Sequence, residues 1–336
     1  MPQSRQNEDS ILQRIAQGSW PSQRQTFRHS LALGIGDDAA LFRPTRNHET
    51  ILTCGWFLEG THFLRDKHPP DTIGWKCLAR AVSDIAAMGG TPRCFLLSLA
   101  LPDSHTGRWL NLFLAGLRRG SRKFQCALAG GDTTRRNEIL INITVVGEVP
   151  TRIAIRRSGA GEGDLVYVSG TLGQAELGLR LLRSAKGFAS KNDPLFGRHL
   201  YPEPRLELGR WLAERKIATA MMDISDGLSS DLARLCDASR IGALLETVKV
   251  PQVQIPVEVR KVGSNPLQLA LHGGDDYELL FTVPPRKAKL VPRTFQGVTL
   301  TAIGKITRSR KVLALDEHGH ATQLTPRGWD PFRKEP

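Results

Sequence analysis

The stretch Ala129-Gly130-Gly131-Asp132-Thr133-Thr134-Arg135 constrains this chain most, because two glycines strip side chains from the backbone just before a carboxylate. Glycine permits close backbone approach and positive φ, N–H groups in such a turn face anionic oxygens, and Asp132 is placed to hold a hard cation bridging those oxygens. A plain strand-to-strand turn uses the same residues, since Gly, Asp and Thr are common turn formers. Recurrence separates the two readings. Glycine-flanked carboxylates return at Asp37-Asp38, at Asp223 and Asp226 within 223–227, and at Asp275-Asp276. Gathered in one fold, such groups repel one another unless cations neutralise them.

Composition narrows the setting. The chain of 336 residues is long enough for two domains, and 40% apolar with 24% charged residues describes a globular protein. No apolar run approaches the roughly 20 residues that span a bilayer, so no membrane partner is expected. The opening Met1-Pro2-Gln3-Ser4-Arg5-Gln6-Asn7-Glu8-Asp9-Ser10 lacks the charged-then-apolar order of a secretory signal. Cys54, Cys77, Cys94, Cys126 and Cys236 form an odd set without a C-x-x-C pair, which fits a reducing cytoplasm and not a disulfide framework or a thiolate zinc site. The net charge of +13 is spread along the chain without interleaved aromatics or a nucleic-acid motif. It is read as a solvated basic surface that suits phosphorylated small ligands and not nucleic acid.

Taken in order, residues 1–30 form an N-terminal extension with a short helix over 10–17. Residues 31–150 form a first domain, and a domain change near Pro150 begins a second over 151–336. Within the first, the spacing of Trp75, Leu78, Val82 and Ile85 predicts a helix over 72–88, with Lys76, Arg80 and Asp84 on another face. Asp84 there either points at a ligand or pairs with Arg80. A lone His62 is a surface or satisfied core residue as readily as a ligand. A strand is expected over 95–101, a helix over 109–119 with Trp109, Leu112, Phe113 and Leu117 on one side, and a half-buried strand over 139–149. In the second domain, 156–164 reads as a flexible hinge carrying phosphate-directed arginines. A strand–glycine–helix unit over 164–184 has the geometry for an anion at a helix N-terminus. Residues 185–203 read as a low-order basic connection, 204–215 as a helix, and 220–227 as a strand entering a helix whose buried side is Leu228, Leu232 and Leu235. Capping accounts for one of Ser225 and Asp226, not the whole cluster. Further strands are expected over 279–283 and near Leu300 and Val312. No G-x-x-x-x-G-K-[ST] loop occurs anywhere.

Oxygen ligands without histidine or cysteine point to Mg²⁺, and Mg²⁺ among carboxylates points to polyphosphate and phosphoryl transfer.

The motifs Gly34-Ile35-Gly36-Asp37-Asp38-Ala39-Ala40, Glu59-Gly60-Thr61-His62-Phe63, Val82-Ser83-Asp84-Ile85-Ala86-Ala87-Met88-Gly89, Gly130-Gly131-Asp132-Thr133-Thr134, Arg156-Arg157-Ser158-Gly159-Ala160, Asp223-Ile224-Ser225-Asp226-Gly227-Leu228 and Gly273-Gly274-Asp275-Asp276-Tyr277-Glu278-Leu279 together resemble the thiamine-monophosphate kinase family. That family lies within the superfamily of aminoimidazole ribonucleotide synthetase. The resemblance covers about 30–330 and implies a two-domain α+β and α/β fold: an N-terminal α+β domain whose sheet pairs across a homodimer, and a C-terminal α/β domain, with ATP in a cleft between them. It implies transfer of the ATP γ-phosphoryl group to thiamine monophosphate. On the same resemblance Asp37, Thr53, Cys54, Asp84, Asp132, Asp223 and Asp226 bind magnesium, Gly131, Asp132, Arg157 and Ser225 bind ATP, Arg157 screens charge, and His62, Asp275 and Trp329 touch the thiamine substrate. No protein nucleophile is needed, because in-line attack by a phosphate oxygen requires placement and neutralisation.

Two positions depart from the family pattern. The strand that normally reads Ser/Thr-Thr-Asp is Thr53-Cys54-Gly55 here, so a charged metal ligand is replaced by Gly55, and the usual Glu after Gly273-Gly274 is Asp275. A weakened, ligand-binding homologue and another ATP-dependent member of the superfamily are the alternatives. Selenophosphate synthetase would carry a reactive cysteine near the N-terminus, and a hydrogenase-maturation protein would carry one at the C-terminus; this chain has Cys54 as its first and ends Phe332-Arg333-Lys334-Glu335-Pro336.

Overall fold

The computed structural model describes residues 8–17, 20, 30–35, 37–185, 187, 193–260 and 265–333. The opening heptapeptide, Gly36 of the first acidic motif and the last three residues lie outside them, as do parts of the expected 185–203 connection. The backbone divides into two compact units, the first comprising Met1–Ile85, Gly90–Arg152 and Ala185–Ala189, the second Ala86–Gly89, Ile153–Ser184 and Ser190–Pro336.

In the first unit α1 (Glu8–Ala16) precedes a two-stranded pair, β1 (Leu31–Leu33) and β2 (Leu41–Phe42). A four-stranded sheet follows from β3 (His48–Leu58), β4 (Thr91–Leu101), β5 (Ala127–Arg135) and β6 (Leu140–Pro150), in the order β3-β6-β4-β5 with β4 and β5 parallel. Alternation along β6 buries Ile141, Ile143 and Val145 completely and leaves Asn142 and Thr144 half-buried, as the sequence pattern predicts. The helices α2 (Pro70–Ala87) and α3 (Arg108–Phe124) add Leu78, Val82 and Ile85, and Leu110, Phe113, Leu114 and Leu117, to the buried residues. The α3 stripe is therefore shifted from the expected one, since Leu112 is exposed. The opposite sheet face shows Leu52 at 70%, Trp56 at 57% and Leu96 at 38% exposure, with Cys54 exposed between the first two. The β1–β2 pair covers only the part of the sheet near Cys94, Ala127 and Ala129.

The second unit holds an eight-stranded sheet of β7 (Leu165–Ser169), β8 (Ala220–Ile224), β9 (Gly242–Glu246), β10 (Glu278–Val283), β11 (Thr294–Phe295), β12 (Val298–Thr307), β13 (Val312–Leu315) and β14 (Ala321–Gln323). Its order is β14-β13-β9-β12-β7-β10-β8 with β11 attached to β12, and only β13–β9 is parallel. Both faces of its centre are buried. On one side Leu228, Leu232 and Leu235 of α7 (Leu228–Ser239) and Ala270 and Leu271 of α8 (Pro266–His272) pack on Val166, Met222, Ile224 and Leu280. On the other, Leu208 and Leu212 of α6 (Leu206–Glu214) meet Tyr167, Met221, Leu279 and Phe281. Each such leucine contributes about 1.5–3 kcal/mol by burial, which anchors the strand ends where the acidic motifs lie.

Three local expectations are corrected. The 129–135 stretch is not a turn: it lies inside β5, beyond a register shift opposite Phe95 and Leu96. The 185–203 connection contains a helix, α5 (Pro194–Leu200), with Asp193 accepting the Leu195 N–H as its cap and Pro194 in the first turn. The N-terminus of α4 (Gln174–Ser184) is taken by a protein carboxylate: Asp276 accepts from Gly173 N at 2.6 Å and Ala175 N at 3.1 Å.

Candidate active site

The second unit assembles its acidic motifs by backbone pairing. β8 delivers Asp223, buried and in register with Leu279, and the chain then turns through Ser225, Asp226 and Gly227 into α7. Gly227 sits at φ 113°, and a Cβ there would lie 2.9 Å from the His272 carbonyl carbon, so only glycine fits. The three N–H groups of Ser225, Asp226 and Gly227 all donate to one oxygen, Oδ2 of Asp231, each at 3.1 Å. Burial, with the Asp226 charge nearby, pushes the Asp231 carboxyl up to about 6. Arg234 Nη1 donates to Asp231 Oδ1 at 2.7 Å and also to Asp226 Oδ2.

The 273–277 loop is joined to this turn. Asp275 N–H donates to Ser225 O at 2.8 Å and Tyr277 N–H to Ile224 O at 2.9 Å. Both residues are left-handed, with φ 67° and 50°. Tyr277 OH donates to Asp275 Oδ1 at 2.6 Å, and the buried His199 places Nδ1 4.0 Å from Asp275 Oδ2. From the C-terminal segment, Trp329 N–H donates to Asp226 O at 2.8 Å and Gly328 N–H to Ser230 Oγ at 3.0 Å, leaving the indole 42% exposed. Ser225, Asp226, Asp275 and Trp329, distant in sequence, thus meet at one strand end.

Arg157 is set apart from them. Its carbonyl accepts from Ser239 Oγ at 3.0 Å, at the C-terminal end of α7, a helix about 18 Å long at roughly 1.5 Å per residue. Its exposed guanidinium makes no hydrogen bond or ion pair among the described residues. A ligand touching both Arg157 and Ser225 therefore extends along α7.

In the first unit, Thr53 Oγ1 donates to Asp84 Oδ2 at 2.5 Å, which ties a hydroxyl of β3 to a carboxylate of α2. Strand alternation puts Gly55 on the Thr53 side and Cys54 on the opposite face, so the structure separates Cys54 from Thr53 and Asp84. A Cβ at Gly55 would meet nothing within 4 Å. Asp132 is exposed on β5, in register with Ser98. Its neighbour Gly131 is required by packing, because a Cβ there would collide with the Leu97 carbonyl oxygen. Asp37 is exposed and accepts from Asp38 N–H at 2.9 Å. His62 Nδ1 accepts from Leu58 N–H at 3.0 Å, with its ring 5.8 Å from that of Phe57.

Among the described residues no three His, Cys, Asp or Glu side chains gather as a cage for a metal ion. The donors present are nonetheless oxygen throughout: the Thr53–Asp84 pair in one unit, and Asp223 and Asp226 in the other. This set fits Mg²⁺, which is held by one or two carboxylates and completes its octahedron with water and substrate phosphate.

Asp231, Arg234 and the buried Ser169–Glu278–Arg205 network were missed in the sequence. Glu278 accepts from Arg205 Nε at 2.7 Å and from Ser169 Oγ at 2.5 Å at the start of β10. The one available signal was a carboxylate in the first turn of α7, where the helix dipole favours an anion.

The two units and their strand-end acidic loops define an AIR synthase related protein. The family model for the AIR synthase related N-terminal domain matches 36–149, and that for the C-terminal domain matches 161–316. The thiamine-monophosphate kinase of Buchnera aphidicola is 38% identical over 306 residues, 89% of this chain and 92% of the relative. The crystal structure of thiamine-monophosphate kinase from Stenotrophomonas maltophilia superposes with a TM-score of 0.77 at 34% identity, covering 94% of this chain and 96% of that one. AaThiL complexed with AMPPCP and TMP gives a TM-score of 0.75 at 34% identity, covering 89% and 92%. The chain belongs to the thiamine-monophosphate kinase family.

Proposed function

We propose that the protein transfers the γ-phosphoryl group of ATP to the phosphate of thiamine monophosphate, giving thiamine diphosphate. The observation that carries this reading is the junction at β8 and β10. It joins Ser225, assigned to ATP, to Asp275, assigned to the thiamine substrate, with Asp226 and Trp329 alongside. Mg²⁺, when bound, would neutralise phosphate charge and draw the two anions together. The candidate cation ligands are, in the first unit, Thr53 with Asp84 on one face of the sheet, Asp132 on the other face, and Asp37, and in the second unit Asp223 and Asp226. The ATP-facing groups are Ser225 and, at the other end of α7, the charge-screening Arg157 in the second unit, and Gly131 and Asp132 in the first. Asp275, fixed by Tyr277, together with Trp329 orients the acceptor in the second unit, and His62 is the acceptor-facing residue of the first. These residues position and screen; none attacks, so the phosphoryl group passes directly between the substrates.

The exposed Leu52, Cys54, Trp56 and Leu96 on one sheet face support a homodimer built on that face, since an apolar patch of this kind marks an interface. All five cysteines are free and four are buried, which supports a reducing, cytoplasmic setting. Among the described residues no helix is long and apolar enough to cross a membrane. ATP labelled in its γ-phosphate tests the reaction: the label should appear in thiamine diphosphate without a labelled protein intermediate. Labelled protein would contradict direct transfer.

A second reading, a homologue that binds both ligands with weakened turnover, is favoured by the open space at Gly55.

A further inference from the structure

We propose that Asp231 and Arg234 are positioning residues for phosphoryl transfer, setting the backbone of 225–227 and the direction of the Asp226 carboxylate. The proposal rests on the reading of Ser225 and Asp226 as ATP- and cation-facing groups.

The head of a helix leaves N–H groups without intrahelical acceptors, and the side chain just before the first turn ordinarily takes them up. Here the N-cap is Gly227, which has no side chain to take them up. Asp231, fully buried on α7, reaches back and accepts from Ser225, Asp226 and Gly227 through one oxygen. Those three N–H groups belong to the turn and the N-cap and not to the first turn of the helix, so Asp231 fixes the backbone of the approach to α7. The Ser225 hydroxyl makes no hydrogen bond among the described residues, and the Asp226 carboxylate is half-buried at the turn.

Arg234 completes the arrangement. Its Nη1 joins the second Asp231 oxygen, at 2.7 Å, to Asp226 Oδ2. One nitrogen therefore ties the half-buried Asp226 carboxylate to the buried Asp231 one and selects a single direction for Asp226. Without Arg234 the Asp226 side chain returns to its ordinary spread of rotamers. Without the Asp231 carboxylate, three N–H groups lose their shared acceptor and Arg234 loses its anchor. Trp329 N–H bonds to Asp226 O, so displacement of this turn also moves the thiamine-facing indole.

The test compares the wild type with Asp231→Asn, Arg234→Gln and Cys236→Ala, the last a buried position on the same helix away from the turn. Calorimetry with a non-hydrolysable ATP analogue and Mg²⁺ reads binding, turnover reads the Mg²⁺ concentration at half-maximal rate, and thermal melting reads stability. Asp231→Asn and Arg234→Gln should weaken analogue binding and raise the Mg²⁺ requirement by about ten- to a hundredfold, while Cys236→Ala changes both by less than about twofold. If Asp231→Asn does not fold, Arg234→Gln on the half-exposed surface decides the matter alone. Wild-type binding and Mg²⁺ dependence in Arg234→Gln would overturn the proposal, as would an equal loss in Cys236→Ala, which would trace the effect to helix stability. Analogue binding by the wild type without thiamine diphosphate formation would instead sink the kinase reading, and the binding comparison would still judge the positioning role.

Discussion

Asp275 donates its backbone N–H to the carbonyl oxygen of Ser225 across 2.8 Å, so the residue assigned to the acceptor and the residue assigned to ATP share one rigid junction. The left-handed backbone at Asp275 and Tyr277 costs roughly 1–2 kcal/mol each for non-glycine residues. Two inter-loop hydrogen bonds and the buried strands on either side offset that cost. With the roles proposed for Ser225 and Asp275, the arrangement would fix donor-side and acceptor-side groups before either substrate arrives, which is what an in-line transfer without a protein nucleophile requires.

Tyr277 holds Asp275 through a 2.6 Å hydrogen bond from its hydroxyl. Tyr277→Phe removes that bond and keeps the ring. Loss of one such bond, about 1 kcal/mol, should raise the KM for thiamine monophosphate roughly fivefold and leave the KM for ATP unchanged. Equal effects on both substrates in steady-state kinetics would contradict the assignment of Asp275 to the acceptor.

Gly55 leaves open space on the face that carries Thr53 and Asp84. Gly55→Asp should add a charged oxygen ligand there and lower the Mg²⁺ concentration needed for half-maximal activity, with little change in melting temperature. An unchanged Mg²⁺ titration would remove Gly55 from the account of the metal site.

The apolar face of the four-stranded sheet carries Trp56 at 57% exposure and Leu52 at 70%. Trp56→Glu places a charge in the middle of that face. Sedimentation should find a dimer for the wild type and a monomer for the variant at the same concentration. A monomeric wild type would exclude this face as a contact between two copies.

Asp276 caps α4, and burial, reinforced by Glu278 and Asp275, pushes its carboxyl from 3.8 up to about 7. Between those values the folded chain keeps a proton that the unfolded chain has released. The contribution is therefore complete below about pH 4 and is lost as pH rises through about 7. Asp276→Asn cannot ionise, so its melting temperature should gain on the wild type between about pH 4 and about pH 7. A difference independent of pH would contradict an ionising Asp276.

Much of the second unit was legible in the sequence because its strands are covered on both faces. Met221, Met222 and Ile224 form a near-continuous apolar run, and Leu228, Leu232 and Leu235 recur at helical spacing. The acidic motifs were legible as motifs, yet their local structure was not. Gly130-Gly131-Asp132 has turn composition but lies in β5, because Gly131 must pass the Leu97 carbonyl of a strand more than thirty residues earlier. The helix N-terminus at Gly173 looked open to a phosphate, and only long-range folding brings Asp276 to fill it. Asp231 resembled any polar helix residue until the chain folded back to give it three N–H donors. Thr53 and Cys54 both stand among the magnesium-binding positions that the resemblance implies, and strand alternation sends their side chains to opposite faces.

Stoichiometric product formation tests the central claim most directly. With ATP, thiamine monophosphate and Mg²⁺, the account predicts equal amounts of ADP and thiamine diphosphate, and neither above background when the acceptor is omitted. Binding of both substrates without thiamine diphosphate, or ADP release that does not depend on the acceptor, would contradict it.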